Sequence, residues 1–184
     1  LRCMPNITVI RPADPTETAA AWVAALKNHK GPTALLLTRQ NMRVIDRSRY
    51  PAASNLEKGA YTLWQSGDGT PDLILIATGS EVELALDAAQ QITDRNVRVV
   101  SMPSWELFEK QNRTYRDRIL DPDCKRRLVV EAGSAFGWER YIGTQGARVT
   151  LDTFGASGAY KDLARHFGFT VENVLSVARE LLAR

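Results

Sequence analysis

The chain has 184 residues, 44% of them hydrophobic, with 24 Lys and Arg against 21 Asp and Glu for a formal net charge of +3. That length suits one full domain, or a small domain joined to part of another. Cys3 and Cys124 lie far apart without CxxC spacing, and only His29 and His166 could add nitrogen ligands, which argues against a disulfide framework or a metal site. No run reaches the length of a membrane span and no signal segment opens the chain, so the expected setting is soluble, reducing and cytoplasmic, with no membrane partner.

In chain order, the first unit reads as strand, helix, strand: ITVIR at 7–11, a helix from Pro15 to His29, and TALLLT at 33–38. Asp14 is placed to cap the helix, Pro15 suits its first position, and Glu17 falls where its side chain reaches back in a capping box. Thr18, Trp22, Ala25 and His29 form one helical stripe, with Ala21 and Leu26 beside it. The run at 33–38 is apolar throughout and follows Gly31-Pro32, the pattern of a strand buried on both faces. Residues 40–58 lack a sustained apolar period and read as an interdomain linker.

Beyond the linker come strands at 61–65, 73–78, 97–102, 127–132 and 148–152. Helices are predicted at 81–93, 105–110, 114–120, 136–142, 161–167 and 171–183. Short apolar strands alternating with amphipathic helices imply a three-layer α/β/α sandwich with a mostly parallel, mixed sheet, preceded by the βαβ remnant of a second α/β domain. The boundary falls near residue 50, giving units 1–50 and 51–184. Because the chain starts at Leu1 and reaches its first strand almost at once, it reads as a piece of something longer.

Charge singles out one strand end. The first 50 residues hold 8 Lys and Arg against 3 Asp and Glu, concentrated around Arg39, Arg43, Arg47 and Arg49. Such a cluster attracts phosphorylated metabolites, but it lacks the length, lysine density and interleaved aromatics of a nucleic-acid surface, so no nucleic-acid partner is expected. Arg39 sits where the 33–38 run leaves the core, and ligands of open α/β sheets collect outside the carboxyl ends of strands. An ion-paired strand end is the alternative.

The other motifs have quieter readings. Thr78-Gly79-Ser80 resembles a phosphate-cradling turn, yet Ser80 with Glu83 reads as a capping box and two glutamates occupy the first turn. Glu131 is either an acid or base without a visible partner, or an acceptor for a neighbouring helix end. Ser134 has no nucleophile elbow around it, and both histidines sit at helix ends. Trp64, Trp105, Trp138, Phe154 and Tyr160 could line a ligand pocket or fill core and interface.

Read in order, RPADPTETAAAW at 11–22, GPTALLLTRQN at 31–41, IATGSEVELAL at 76–86, VRVVSMPSWELFEKQ at 97–111, VVEAG at 129–133 and TFGAS at 153–157 resemble transketolase across nearly the whole chain. The resemblance implies that residues 1–50 close a thiamine-diphosphate pyrimidine-binding domain and that residues 51–184 form the transketolase C-terminal domain. For the parent protein it implies transfer of a two-carbon ketol unit from a ketose phosphate to an aldose phosphate in the pentose phosphate pathway. Thiamine diphosphate, a divalent cation such as Mg2+, sugar phosphate substrates and a homodimer belong to that reading. The family's catalytic glutamate, cofactor ligands, metal ligands and substrate histidines precede the stretch present here. No catalytic, cofactor or metal residue is therefore carried over, neither cofactor is expected on this chain alone, and the chain alone is expected to be inactive. One position matches a substrate contact: Arg39, in TRQN, resembles the family arginine that holds the substrate phosphate. Relatives often continue TFGAS with Ala-Pro, whereas Gly158-Ala159 here should loosen the start of the following helix. Dihydroxyacetone synthase, deoxyxylulose phosphate synthase and a 2-oxoacid dehydrogenase beta-type subunit are the enzyme alternatives. A noncatalytic metabolite-binding or regulatory module is the alternative from another class.

Overall fold

Two sheets organise the chain, and the computed structural model describes residues 1–184. The larger holds β3 (Tyr61–Gln65), β4 (Leu73–Ala77), β5 (Val97–Ser101), β6 (Arg127–Glu131) and β7 (Ala147–Thr150) in the order β3-β5-β4-β6-β7. Only β3 runs antiparallel to its neighbour, so the sheet is mixed and mostly parallel. Successive side chains leave opposite faces of a strand, and the two faces here feed two separate cores. Leu73, Leu75, Leu128 and Val130 pack beneath α2 (Glu81–Ala89) and α7 (Val171–Ala183), which supplies Val174, Ala178 and Leu181. Ile74, Ile76, Val100 and Val129 face the other way. They meet α3 (Trp105–Glu109), the end of α4 (Arg113–Ile119) and α5 (Glu139–Ile142). The three-layer sandwich follows from a sheet that is apolar on both faces.

The smaller sheet pairs β1 (Thr8–Ile10) with β2 (Thr33–Leu35) in parallel, joined through α1 (Pro15–Lys27). Asp14 accepts the Glu17 amide at 2.8 Å, and Glu17 reaches back to accept the Ala13 amide at 2.8 Å, one residue beyond the expected box. The expected strand at 33–38 is shorter and less covered than its composition suggests. β2 ends at Leu35, its side chains are only half-buried, and Leu37 is 54% exposed. The reason is its place in a two-stranded sheet, where no second layer of this chain lies over Leu36 and Leu37.

The stripe expected on α1 also differs. The buried face is Glu17 and Ala21, with Ala20 and Ala24 beside them against Ile10 and Leu56, while Trp22 and Leu26 are exposed. Small side chains let the helix approach the narrow sheet closely, and the bulky ones are turned outward. The segment read as a linker is pinned rather than loose: Ile45 and Leu56 are buried, and a 3-10 turn spans Ala53–Lys58. At Gly59, φ is +82° and a Cβ would lie 2.0 Å from the Phe108 amide nitrogen, so only glycine admits this contact with α3. The helix expected at 136–142 begins only at Glu139 because Gly137, at φ +86°, leaves the helical region. Ala159 offers no side-chain cap to α6 (Tyr160–His166).

Candidate functional site

After Leu35 the chain continues extended, with the Leu36 amide donating to the Ile10 carbonyl at 2.9 Å, and then turns at Thr38. There the Thr38 hydroxyl bonds the Gln40 side chain and accepts the Gln40 amide at 3.3 Å. Arg39 occupies this turn. Its side chain is exposed and takes part in none of the ion pairs or hydrogen bonds of the structure. It borders a cleft of about 330 Å3 between the two units, with Arg11, Pro12 and Leu37 on one side and Gly79, Ser80, Ala132 and Tyr160 on the other.

Two more arginines of the basic cluster are already committed, and Arg49 is exposed but does not border the cleft. Arg43 pairs with Glu83 at 3.3 Å and Asp87 at 2.7 Å, and Arg47 pairs with Asp14 at 3.1 Å. Of the sequence candidates, then, Arg39 stands at a cleft with its charge unmatched. Neither histidine lines that cleft. Ser134 donates to Asp152 at 3.3 Å and accepts the Phe136 amide at 3.2 Å. Of the five aromatics, Tyr160 lines the cleft while Phe154 is 99% exposed, so they do not converge on one pocket. Trp105, Trp138 and Tyr141 instead make an edge-to-face core cluster, with Trp105 and Trp138 centroids 4.8 Å apart.

Comparison with known proteins places this arrangement. Residues 59–170 match the family model of the transketolase-like TK C-terminal domain, and residues 1–44 match the transketolase pyrimidine-binding domain. The chain belongs to the transketolase family. It is 47% identical to a transketolase of Bacillus subtilis over 184 residues, covering 99% of this chain and 28% of that protein. A transketolase structure from Leishmania mexicana superposes with a TM-score of 0.91 at 42% identity, covering 100% of this chain and 26% of the other. A transketolase of Pichia stipitis, solved in complex with sedoheptulose 7-phosphate, gives a TM-score of 0.88 at 37% identity, over 99% of this chain and 26% of that one. The chain thus spans a little over a quarter of the relatives it matches.

In this transketolase chain, the crevice where α/β sheets usually bind ligands is filled from within. β4 leads to β5 on one side and β6 to β7 on the other, so the strand order reverses between β4 and β6, the position favoured by ligands in such sheets. Two arginines of the first unit enter there. Arg2 grips Glu131 through both guanidinium nitrogens, at 2.7 and 2.8 Å, while its guanidinium carbon lies 4.1 Å over the Trp105 ring. Arg11 donates to Glu81 at 2.7 Å and to the Thr78 hydroxyl at 2.5 Å. Glu131 also accepts from the Thr78 hydroxyl at 3.0 Å and the Trp138 indole N–H at 2.7 Å. Burial alone would raise the Glu131 pKa, but Arg2, Trp138 and Arg11 outweigh it and hold the carboxyl below its ordinary value. A carboxylate so held is an anchor rather than an acid.

The Thr78-Gly79-Ser80 turn is likewise a seat for Arg11. A Cβ on Gly79 would stand 2.9 Å from the Arg11 guanidinium carbon, so the space a diphosphate would need is occupied. Ser80 makes no cap, contrary to the expected box; its hydroxyl donates to Glu81 at 2.6 Å because Ser80 is itself helical in conformation. No group of three or more His, Cys, Asp or Glu side chains converges as a metal site. At this crevice, then, the residues leave no room for the diphosphate of thiamine diphosphate and form no divalent-cation site. No helix is long and apolar enough to cross a membrane.

Sequence reasoning missed Arg2, and it noted Glu81 only as a first-turn charge and Tyr160 only as one of five aromatics. The Arg2–Glu131 contact spans 129 positions and the Arg11–Glu81 contact spans 70, with no local pattern to announce either. A second buried anchor was half seen. Glu17, noted only as a capping residue, also accepts the Tyr61 hydroxyl at 2.6 Å and the Ser101 hydroxyl at 2.8 Å.

Proposed function

We propose that this chain is the C-terminal part of a transketolase that moves a two-carbon ketol unit from a ketose phosphate to an aldose phosphate, and that Arg39 holds the substrate phosphate. The observation that carries the site is the unpaired, exposed Arg39 guanidinium at the cleft beyond β2. The sugar phosphate named with the Pichia stipitis relative is consistent with that role. The similar proteins described above are transketolases, which favours this reading over dihydroxyacetone synthase or deoxyxylulose phosphate synthase. In the same reading the two units divide near residue 50, and the parent is a cytoplasmic homodimer that uses thiamine diphosphate and Mg2+ held by residues outside this chain. The chain by itself then turns over no substrate.

The chemical part assigned to these residues is positioning. A guanidinium is charged at any physiological pH and offers a planar fork that fits phosphate oxygens. Gripping the phosphate, remote from the reacting carbonyl, fixes where the other end of the sugar lies and turns binding energy into orientation. Arg39→Ala in the full-length enzyme should cost about 1.5–3 kcal/mol in kcat/KM for phosphorylated substrates. Unphosphorylated analogues should be nearly unaffected. Equal losses with both substrate classes would refute the phosphate role.

A further inference from the structure

The Arg39 cleft continues past Tyr160 into a second hollow of about 180 Å3, and the two share Gln40, Ser80, Glu81, Ala132 and Tyr160. The inner walls are apolar: Leu84 from α2, Leu151 just beyond β7, Leu163 from α6, and Phe167 and Phe169 after it. The volume is close to the roughly 150 Å3 of an apolar cavity that holds a single benzene ring, and this hollow opens to the cleft through the shared polar wall. The carboxylate in the shared wall, Glu81, is already matched by Arg11 at 2.7 Å and by the Ala132 amide at 3.0 Å. The unmatched charge at the mouth is therefore positive and belongs to Arg39.

We propose that this slot, joined to Arg39, is a binding site for a small aryl anion, with the ring between Leu84, Leu163, Phe167 and Phe169 and the phosphate or carboxylate on the guanidinium. The occupant is set by size and by charge: the slot admits one ring, and the mouth selects an anion. A sugar does not suit the slot, because leucine and phenylalanine walls offer no partners for its hydroxyls. The site goes beyond the sugar-phosphate reading while sharing Arg39 with it, so an aryl anion bound here competes with a sugar phosphate without resembling one.

Titration calorimetry on the full-length protein with phenyl phosphate, inorganic phosphate and benzyl alcohol tests the proposal. Phenyl phosphate should bind at least tenfold more tightly than either probe that carries only the anion or only the ring. Ala164→Phe, which fills the slot from α6, should remove that advantage and leave inorganic phosphate unchanged. Arg39→Gln should weaken phenyl phosphate at least tenfold. If Ala164→Phe loses its melting transition, Leu163→Asn takes its place. Equal affinity of the unaltered protein for phenyl phosphate and inorganic phosphate overturns the proposal whatever the variants do, and so does an advantage that survives a filled slot. Failure of the sugar-phosphate reading looks different: an unchanged KM for ribose 5-phosphate in Arg39→Gln.

Discussion

Arg11 and Arg39 leave the ends of adjacent parallel strands and meet opposite fates. Arg11, just past β1, is drawn into the crevice of the larger sheet and bonds Thr78 and Glu81. Arg39, past β2, stays in solvent with no acidic partner. The difference lies in what the second unit presents to each. Glu81 and Glu131 face the end of β1, whereas an open cleft faces the end of β2. The same side chain is thus structural at one strand end and free for ligand at the next.

The sharpest way to break the comparison is to remove the committed arginine. Arg11→Ala strands the Glu81 carboxylate, which is 7% exposed, away from water. Breaking a buried ion pair in this way typically costs about 3–5 kcal/mol, read from the urea midpoint at constant m. A loss below about 1 kcal/mol would mean that water repairs the site as readily as arginine fills it. The seat of that arginine comes next. Gly79→Ala places a Cβ 2.9 Å from the guanidinium carbon at a backbone φ of +58°, and about 1–3 kcal/mol of destabilisation is expected. An unchanged midpoint would show that the guanidinium slides aside without loss.

A further pair of variants separates the two buried carboxylates by sign. Glu131 has a lowered pKa in the fold, so the folded chain binds fewer protons than the unfolded one in acid, and stability falls as pH drops through that range. Glu17 is the reverse. Burial outweighs the hydrogen bonds from Tyr61, Ala13 and Ser101 and the charge of Arg47, so its pKa is raised. Its stabilising contribution is complete below the ordinary carboxylate value and fades as pH rises through the folded one. Denaturation midpoints between pH 3 and 8 should show Glu131→Gln flattening the acid limb and Glu17→Gln flattening the decline on the alkaline side. Parallel profiles for the two variants would contradict the assignment.

How much of this was legible in the sequence depends on where each partner lies along the chain. LILIA at 73–77 and the runs of β5 and β6 announced themselves, since a strand covered on both faces is apolar at every step and needs no distant information. TALLLT at 33–38 carries the same signature, yet in this chain Leu37 is exposed; composition records the burial a strand is suited to, not the layers that are present. The N-terminus of α1 was readable because Asp14 and Glu17 act within four residues of each other. Ser80 misled because the capping spacing was present while its hydroxyl turned to the adjacent Glu81. Glu131 had no visible partner because Arg2 stands 129 positions away.

The smallest expected effect bears on the other half of the comparison. Arg39→Ala removes a side chain with no partner in the fold, so its midpoint should stay within about 0.5 kcal/mol of the unaltered protein. A loss above about 1 kcal/mol would show that Arg39 has a structural task after all, and would weaken its claim on a substrate. Taken with Arg11→Ala, the measurement is a difference between two chemically identical truncations at neighbouring strand ends. If the fold rather than residue type decides which arginine is available, the stability losses must separate by several kcal/mol while only the smaller one is accompanied by a phosphate-specific loss in kcat/KM.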